Sequence, residues 1–409
     1  MADITVVGGG LAGLVASIAS AEAGAKVHLY EAHATLGGRA RSTPPPFIAH
    51  DGPHVLYADG PLWAWLAERD LCGLAARPPL GALAGVRFRR HGMLRRRPPL
   101  SILRLLAPPR RAAPVDRDFH GWVAQSYGEE AATAAGSLMD VATFDADPGR
   151  LSAAFVWERM LRVFGSVPPP ARYVTGGWSR MIARMEARAR ELDVTVEVGS
   201  RVDRLPEPPV IVATSLEAAR RLLGDDTLRW DSGRAVLLDL GLRHRRGDAF
   251  VVADLDEAGW AERYSAPDPT VAPPGHSLIQ AQIPLRPGET GAGGLRRLER
   301  MLEFGYPGWR DRQVWRRHGM ANARSGALDL PGRTWRDRPR IERGDGVFLA
   351  GDMVAAPGLL SEVAFNSALT AARGALRLAE TTRSAVGVSP QRRRSVGGRS
   401  RRERTPSLR

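Results

Sequence analysis

Gly8, Gly10 and Gly13 stand at G-x-G-x-x-G spacing, and an acid, Glu31, follows 18 residues after Gly13. These residue types at this spacing suit a dinucleotide. Gly8 permits a tight turn, Gly10 lets backbone approach a pyrophosphate, and Gly13 lets a helix pack close to its strands. Glu31, with Ala32 beside it, is placed to bind ribose hydroxyls at the expected distance of about 20 residues. Other chemistry is scarce. Lys26 is the sole lysine and Cys72 the sole cysteine, so lysine catalysis has one address. An internal disulfide framework or a zinc site built on several thiolates is excluded, and no metal site is expected. His54 is read either as a catalytic residue or as a backbone-bonded histidine beside a Gly-Pro bend.

The glycines can act only if local structure places them. Ile4-Thr5-Val6-Val7 is a short β-branched strand, and the turn through Leu11 and Ala12 leads into a helical pattern over residues 14–23. Gly24 and Ala25 break that helix, Lys26-Val27-His28-Leu29-Tyr30 forms a second strand, and Glu31 ends it. In such a βαβ unit the helix N-terminus presents N–H groups that no carbonyl of the helix satisfies, aimed at phosphates.

At 409 residues the chain is long enough for two domains. Hydrophobic residues make up 44% and charged residues 25%, values of a globular protein and not of a disordered one. Residues 4–21 are nearly uncharged, but Asp3 precedes them and a glycine triplet interrupts them, which suits neither a signal peptide nor a membrane span. The expectation is a cytoplasmic protein, soluble or peripheral at the inner membrane face.

Further segments carry a resemblance. Leu36-Gly37-Gly38-Arg39-Ala40-Arg41-Ser42 resembles the G-G-R segment of flavoproteins in the amine oxidase and carotenoid (phytoene) desaturase superfamily. Gly346-Val347-Phe348-Leu349-Ala350-Gly351-Asp352 resembles that superfamily's closing flavin motif, and a helix follows through Glu362-Val363-Ala364-Phe365. The resemblance implies FAD. Asp352 would hydrogen-bond the ribitol chain, and the helix after Leu360 would aim its N-terminus at the flavin pyrimidine ring, where it stabilises developing negative charge. Asp51-Gly52-Pro53-His54-Val55-Leu56-Tyr57 resembles the strand passing beside the isoalloxazine. Tyr173-Val174-Thr175-Gly176-Gly177 matches the segment returning the chain to the nucleotide domain. Residues 194–198 with Val202 resemble the strand meeting adenine, and Val210-Ile211-Val212-Ala213-Thr214 the next strand of that domain. Only residues 204–209 separate the last two strands, where relatives have a small β-meander.

The implied architecture is α/β plus α+β: a discontinuous Rossmann-like FAD domain with an inserted mixed substrate domain. The FAD domain takes residues 1–57, 171–225 and 341–382. The substrate domain takes residues 58–170, mainly helical, and 226–340, richer in sheet; Trp309 and Trp315 are read as core or interface. Amine oxidases of this superfamily commonly hold a water near flavin N5 with a lysine and flank the amine with aromatics. Lys26 opens the second strand, and Ala355-Ala356-Pro357-Gly358-Leu359-Leu360 carries no aromatic. A wall of Leu359 and Leu360 favours an apolar or amphiphilic substrate. Asp140, Asp145 and Asp147 are read as solvated or capping.

Residues 87–111 hold nine arginines and no acid, interleaved with leucines. They read either as a solvated face or as an element lying on an anionic membrane surface. The tail at residues 383–409 has nine arginines against Glu403 and reads as disordered. Nothing resembles a specific nucleic-acid motif. The leading expectation is therefore a phytoene-desaturase-type FAD dehydrogenase passing electrons to a quinone or O2. An amine-oxidase-like flavin oxidase and a flavin-free escort protein of the same fold are the alternatives.

Overall fold

The computed structural model describes residues 2–51, 55–108, 110–166, 168–322 and 325–387. Its nucleotide half is built on β1 (Ala2–Val7), α1 (Leu11–Glu22) and β2 (Ala25–Tyr30). β1 and β2 pair in parallel from Ala2 opposite Ala25 to Val7 opposite Tyr30. Strands Val210–Val212 and Val347–Leu349 extend the parallel sheet on one side and Thr195–Glu197 on the other; Glu342–Gly344 closes it antiparallel. Three remote stretches of chain thus share one six-stranded sheet. Residues 198–209, between two of its strands, contain no further strand.

α1 is buried along most of its length because alanine and glycine let neighbours come close. The helix Ser361–Gly387 lies against it, and Ala364, Phe365, Ala368, Ala371, Ala372 and Ala375 share its apolar core. That helix runs past residue 382, so the tail begins as helix; residues 388–409 lie outside the described residues.

The second half is a seven-stranded sheet with helices on both faces. Strand alternation sorts its side chains. Val236, Leu238, Leu240, Ile279, Ala281 and Ile283 face the helix Gly291–Gly305 and pack with Leu298, Met301, Tyr306 and Trp309. The opposite face meets helices Phe119–Tyr127, Glu129–Leu138 and Ala153–Phe164 through Trp260, Tyr264 and Leu278. Residues 58–170 are not only helical: strands Val86–Arg90 and Met93–Arg95 join this sheet at its edge. Trp309 is core, and Trp315 stacks on Phe47 with ring centroids 5.5 Å apart. A small sheet of Leu56–Tyr57, Ala171–Val174 and Ala75–Ala76 lies where the chain passes between the halves.

Candidate functional site

The glycines gather at the C-terminal edge of the parallel sheet, where open α/β sheets bind ligands. Gly8 has φ +107°, and a Cβ there would lie 2.6 Å from the Ala213 carbonyl oxygen. A Cβ on Gly13 would lie 1.8 Å from the Gly8 carbonyl oxygen, so α1 can begin where it does only with glycine there. Gly10 differs. It caps α1 with an ordinary backbone (φ −75°), and the nearest atom to a methyl added there would be the Gly38 Cα at 4.0 Å. The space beside Gly10 is what a closely approaching ligand requires.

The G-G-R segment forms the other wall. Gly37 N–H donates to the Gly9 carbonyl at 2.8 Å, Gly37 and Gly10 form a parallel bridge, and Gly37 has φ +112°. Gly9 is a glycine the motif spacing did not single out; a Cβ on it would strike Leu36 at 2.3 Å. Leu11 and Ala12 open α1 beside this cradle. Ala213 N–H donates to the Val7 carbonyl and Ala350 N–H to that of Val212, which aligns Thr214 and Gly351 with the ends of their strands. Gly351 N–H donates to the Ser367 hydroxyl at 2.9 Å, a tie to the closing helix that sequence reasoning missed. Val202 packs at the edge of the Val7 and Val212 cluster.

Glu31 is buried at the end of β2, with Ala32 exposed beside it. Gly9 N–H donates to its Oε2 at 2.7 Å, while His33 N–H and Nδ1 reach Oε1 at 2.9 and 2.6 Å. Burial pushes its pKa up, but the hydrogen bonds from His33 and Gly9 outweigh burial and hold the carboxyl below its ordinary value. Across the cradle, Arg39 Nη2 donates to Asp352 Oδ2 at 2.6 Å. The structure thus brings Gly8, Gly10, Gly13, Gly37, Gly38, Arg39, Glu31, Gly351 and Asp352 to one edge. Gly52, Pro53 and His54 lie outside the described residues.

In the closing segment Leu360 has φ +56° and packs against the substrate-side core with Val55, while Val363 is buried. The Glu362 carboxylate is taken by Arg162, whose Nη2 reaches both oxygens at 2.9 and 3.0 Å. Gly60 makes room for it, since a Cβ there would lie 1.8 Å from Glu362 Oε1. Glu362 is therefore a clasp between the closing helix and the helical layer.

A second group of polar residues escaped the sequence. Arg317, Asp239, Gln280 and Glu262 are register partners on four adjacent strands and form one row across the sheet. Gln280 Nε2 donates to Asp239 Oδ1 at 3.0 Å, and Arg317 Nε to Asp239 Oδ2 at 2.7 Å. Tyr173 hydroxyl donates to Glu262 Oε1, and Trp260 Nε1 to Oε2 at 3.1 Å. Burial raises Glu262 to about 6 and Asp239 to about 6, against the lowering effect of these donors. The signal was the Gln280–Ala281–Gln282 alternation, but register is needed to see the row. Asp140 corrects an expectation: it is 1% exposed rather than solvated, and burial raises its pKa well above the ordinary value. Asp145 instead pairs with Arg150 at 2.6 Å.

Residues 6–69 match the NAD(P)-binding Rossmann-like domain family. No curated protein sequence matches the chain. Among solved structures, an oxidoreductase from Methanosarcina mazei superposes with TM-score 0.71 at 18% identity, covering 90% of this chain and 99% of its own. Cyclohexylamine oxidase from Brevibacterium oxydans IH-35A gives 0.66 at 16% identity, covering 93% and 99%. The fold is that of the amine oxidases. Reduced UDP-galactopyranose mutase also shares it, at TM-score 0.67, 14% identity and coverage of 96% and 97%. The amine-oxidase fold therefore carries more than one chemistry, and the site must decide among them. Among the described residues no cluster could hold a metal ion, and no helix is long and apolar enough to cross a membrane.

Proposed function

We propose that the chain is an FAD-dependent oxidoreductase that dehydrogenates an apolar or amphiphilic small molecule, in the manner of phytoene-desaturase-type enzymes. The observation that carries this reading is the convergence of three remote segments on one cradle. Residues 8–13, 37–39 and 351–352 meet at one sheet edge, with open space at Gly10 where a Cβ would stand. A nicotinamide-only site would not need the second and third segments.

When bound, FAD supplies a two-electron acceptor for hydride from carbon. The α1 N-terminus offers N–H groups to the diphosphate, and Gly10 lets it come close. Glu31 Oε1 already has two donors and Oε2 one, which leaves Oε2 able to accept from a ribose hydroxyl. Arg39 would meet the phosphates and Asp352 the ribitol hydroxyls. Hydride removal asks the chain mainly to place a C–H bond within roughly 3–3.5 Å of its acceptor. Leu360 and Val55, packed against the substrate-side aromatic core, would supply apolar surroundings for that placement.

The test has two steps. Purified protein should be yellow and release FAD on denaturation; protein that stays colourless after incubation with excess FAD would overturn the cofactor assignment and favour an escort or binding role. Anaerobic holoprotein should then be bleached by a member of a panel of polyenes and terpenoids. Bleaching by amines alone would favour the amine-oxidase-like reading.

A further inference from the structure

The arginine-rich segment has a definite place in the fold. Strand Met93–Arg95 is the outer edge of the seven-stranded sheet, and Pro98-Pro99 lead from it into the helix Leu100–Leu106. Ile102 and Leu105 anchor that helix in the core. Its other face does the opposite: Leu100 is 60% and Leu103 47% exposed, and Met93 on the edge strand is 54% exposed. These are three of the ten large apolar side chains exposed among the described residues. Scattered exposed leucines need no explanation, but apolar side chains rimmed by like charge do.

The charges are not uniformly available. Arg89 is paired with Asp254 and Asp256, and Arg90 with Glu130. Arg95, Arg96 and Arg97 are exposed and have no carboxylate within ion-pair distance among the described residues. Together with Phe88, Arg90 and Leu100 they line a surface concavity of about 460 Å³. Charge on an edge strand guards against unwanted strand pairing, but that purpose gives no reason to expose Met93, Leu100 and Leu103 beside it.

We propose that this edge is a docking surface for an anionic lipid bilayer, with Met93, Leu100 and Leu103 entering the headgroup–acyl boundary and Arg95–Arg97 bound to lipid phosphates. Arginine suits this geometry because its stem lies along apolar surface while the guanidinium stays at the phosphate level. A nucleic acid would match the charge but not the leucines. An acidic soluble protein would match both less well than a bilayer, since it offers no apolar layer just below a sheet of phosphates. The inference stands independently of the flavin reading, because binding is measured on the chain whatever it carries.

The experiment is co-sedimentation of the full chain with sucrose-loaded vesicles of phosphatidylcholine alone or mixed with phosphatidylglycerol, with the basic tail present throughout. Binding should require the anionic lipid and weaken as salt rises. The combined Met93→Ser, Leu100→Ser and Leu103→Ser variant, unchanged in charge, should bind roughly tenfold or more weakly. Arg95→Gln, Arg96→Gln and Arg97→Gln should each weaken binding about fivefold. Both sets are first shown to keep the wild-type melting temperature. An environment-sensitive probe on a Met93→Cys variant should shift to the blue with anionic vesicles. Wild-type binding by the triple-serine variant, equal binding to neutral vesicles, or an unshifted probe would overturn the proposal. Stronger capture by heparin than by vesicles, undiminished in the serine variant, would assign the edge to a soluble polyanion instead.

Discussion

Arg39 and Asp352 lie 313 residues apart in sequence, yet an Arg39 guanidinium nitrogen and an Asp352 carboxylate oxygen stand 2.6 Å apart. One belongs to the segment after β2 and the other to the loop after strand Val347–Leu349, so the pair bridges the two walls of the cradle. It is partly exposed, with 43% of the Arg39 side chain and 20% of that of Asp352 accessible. An ion pair of that kind contributes roughly 0–1 kcal/mol to folding. On the proposed function, its value would lie in fixing two cofactor-binding groups relative to each other.

Replacing either partner should therefore separate stability from binding. Arg39→Gln and Asp352→Asn are each expected to leave the cofactor-free melting temperature nearly unchanged while lowering FAD affinity tenfold or more. Thermal melts of stripped protein and a fluorescence titration with FAD measure the two quantities side by side. Equal losses in both would make the pair structural.

The glycines predict a contrast. Gly10 has a backbone open to any residue and no atom nearer than 4.0 Å to an added Cβ, so Gly10→Ala should fold as well as the parent. Reduced chain entropy in the unfolded state adds at most about 0.4–1 kcal/mol in its favour. Its methyl occupies the space at the cradle, so FAD retention should fall. Gly13→Ala drives a methyl into the Gly8 carbonyl at 1.8 Å and should lose stability by about 1–3 kcal/mol. Denaturant melts and the flavin absorbance of the purified variants test both halves.

What the sequence revealed and what it hid differ in range. Gly8, Gly10 and Gly13 sit in one βαβ unit, so their spacing together with the flanking strand and helix marked them, although the carbonyl that crowds Gly8 comes from the remote Ala213. The fold followed because strand, helix and motif signals agreed in order. Glu362 was read with the flavin motif because its partner Arg162, 200 residues away, carries no local mark. The row from Arg317 to Glu262 was equally invisible, since it exists only once four strands take their register. Asp140 looked solvated because it is one of three acids close together in a helical insertion, and only packing against the sheet buries it.

Glu262 should leave a pH signature. Its folded-state pKa is raised by burial from 4.5 to about 6. Below 4.5 the carboxyl is neutral in both states and costs nothing. Above about 6 it is ionised in both, and the folded state bears the desolvation penalty, roughly 2 kcal/mol. Stability associated with this group is thus fully present below 4.5 and lost as pH rises through 6. Glu262→Gln keeps a carbonyl for Trp260 and an amide N–H that the Tyr173 oxygen can accept, without the charge. The stability of wild type relative to Glu262→Gln should therefore fall by about 2 kcal/mol between pH 4.5 and 7. Urea melts across that range measure it, and a difference independent of pH would show that the carboxyl is not buried as described.

The last prediction concerns oxygen and amines. Negative charge forming as a reduced cofactor meets oxygen is stabilised by a fixed cation nearby. Lys26, the sole lysine, pairs in register with Asp3 near the start of β1, at the sheet edge opposite the cradle. Three arginines that the structure brings against the motif segments are matched by carboxylates, whereas Arg41 donates to the Gly38 carbonyl and Arg180 lies against Gly176. Arg39 faces Asp352, Arg162 faces Glu362 and Asp59, and Arg317 faces Asp239 and Asp51. The closing segment offers Leu360 rather than an aromatic ring to the substrate side. Photoreduced holoprotein should accordingly reoxidise slowly in air-saturated buffer and fast with a quinone, and simple primary amines should not bleach it. Stopped-flow absorbance in the two acceptors decides the matter. Rapid reoxidation in air together with amine-dependent bleaching would mean that one of these arginines acts as a free cation despite its partner, and would transfer the chain to the amine-oxidase-like alternative.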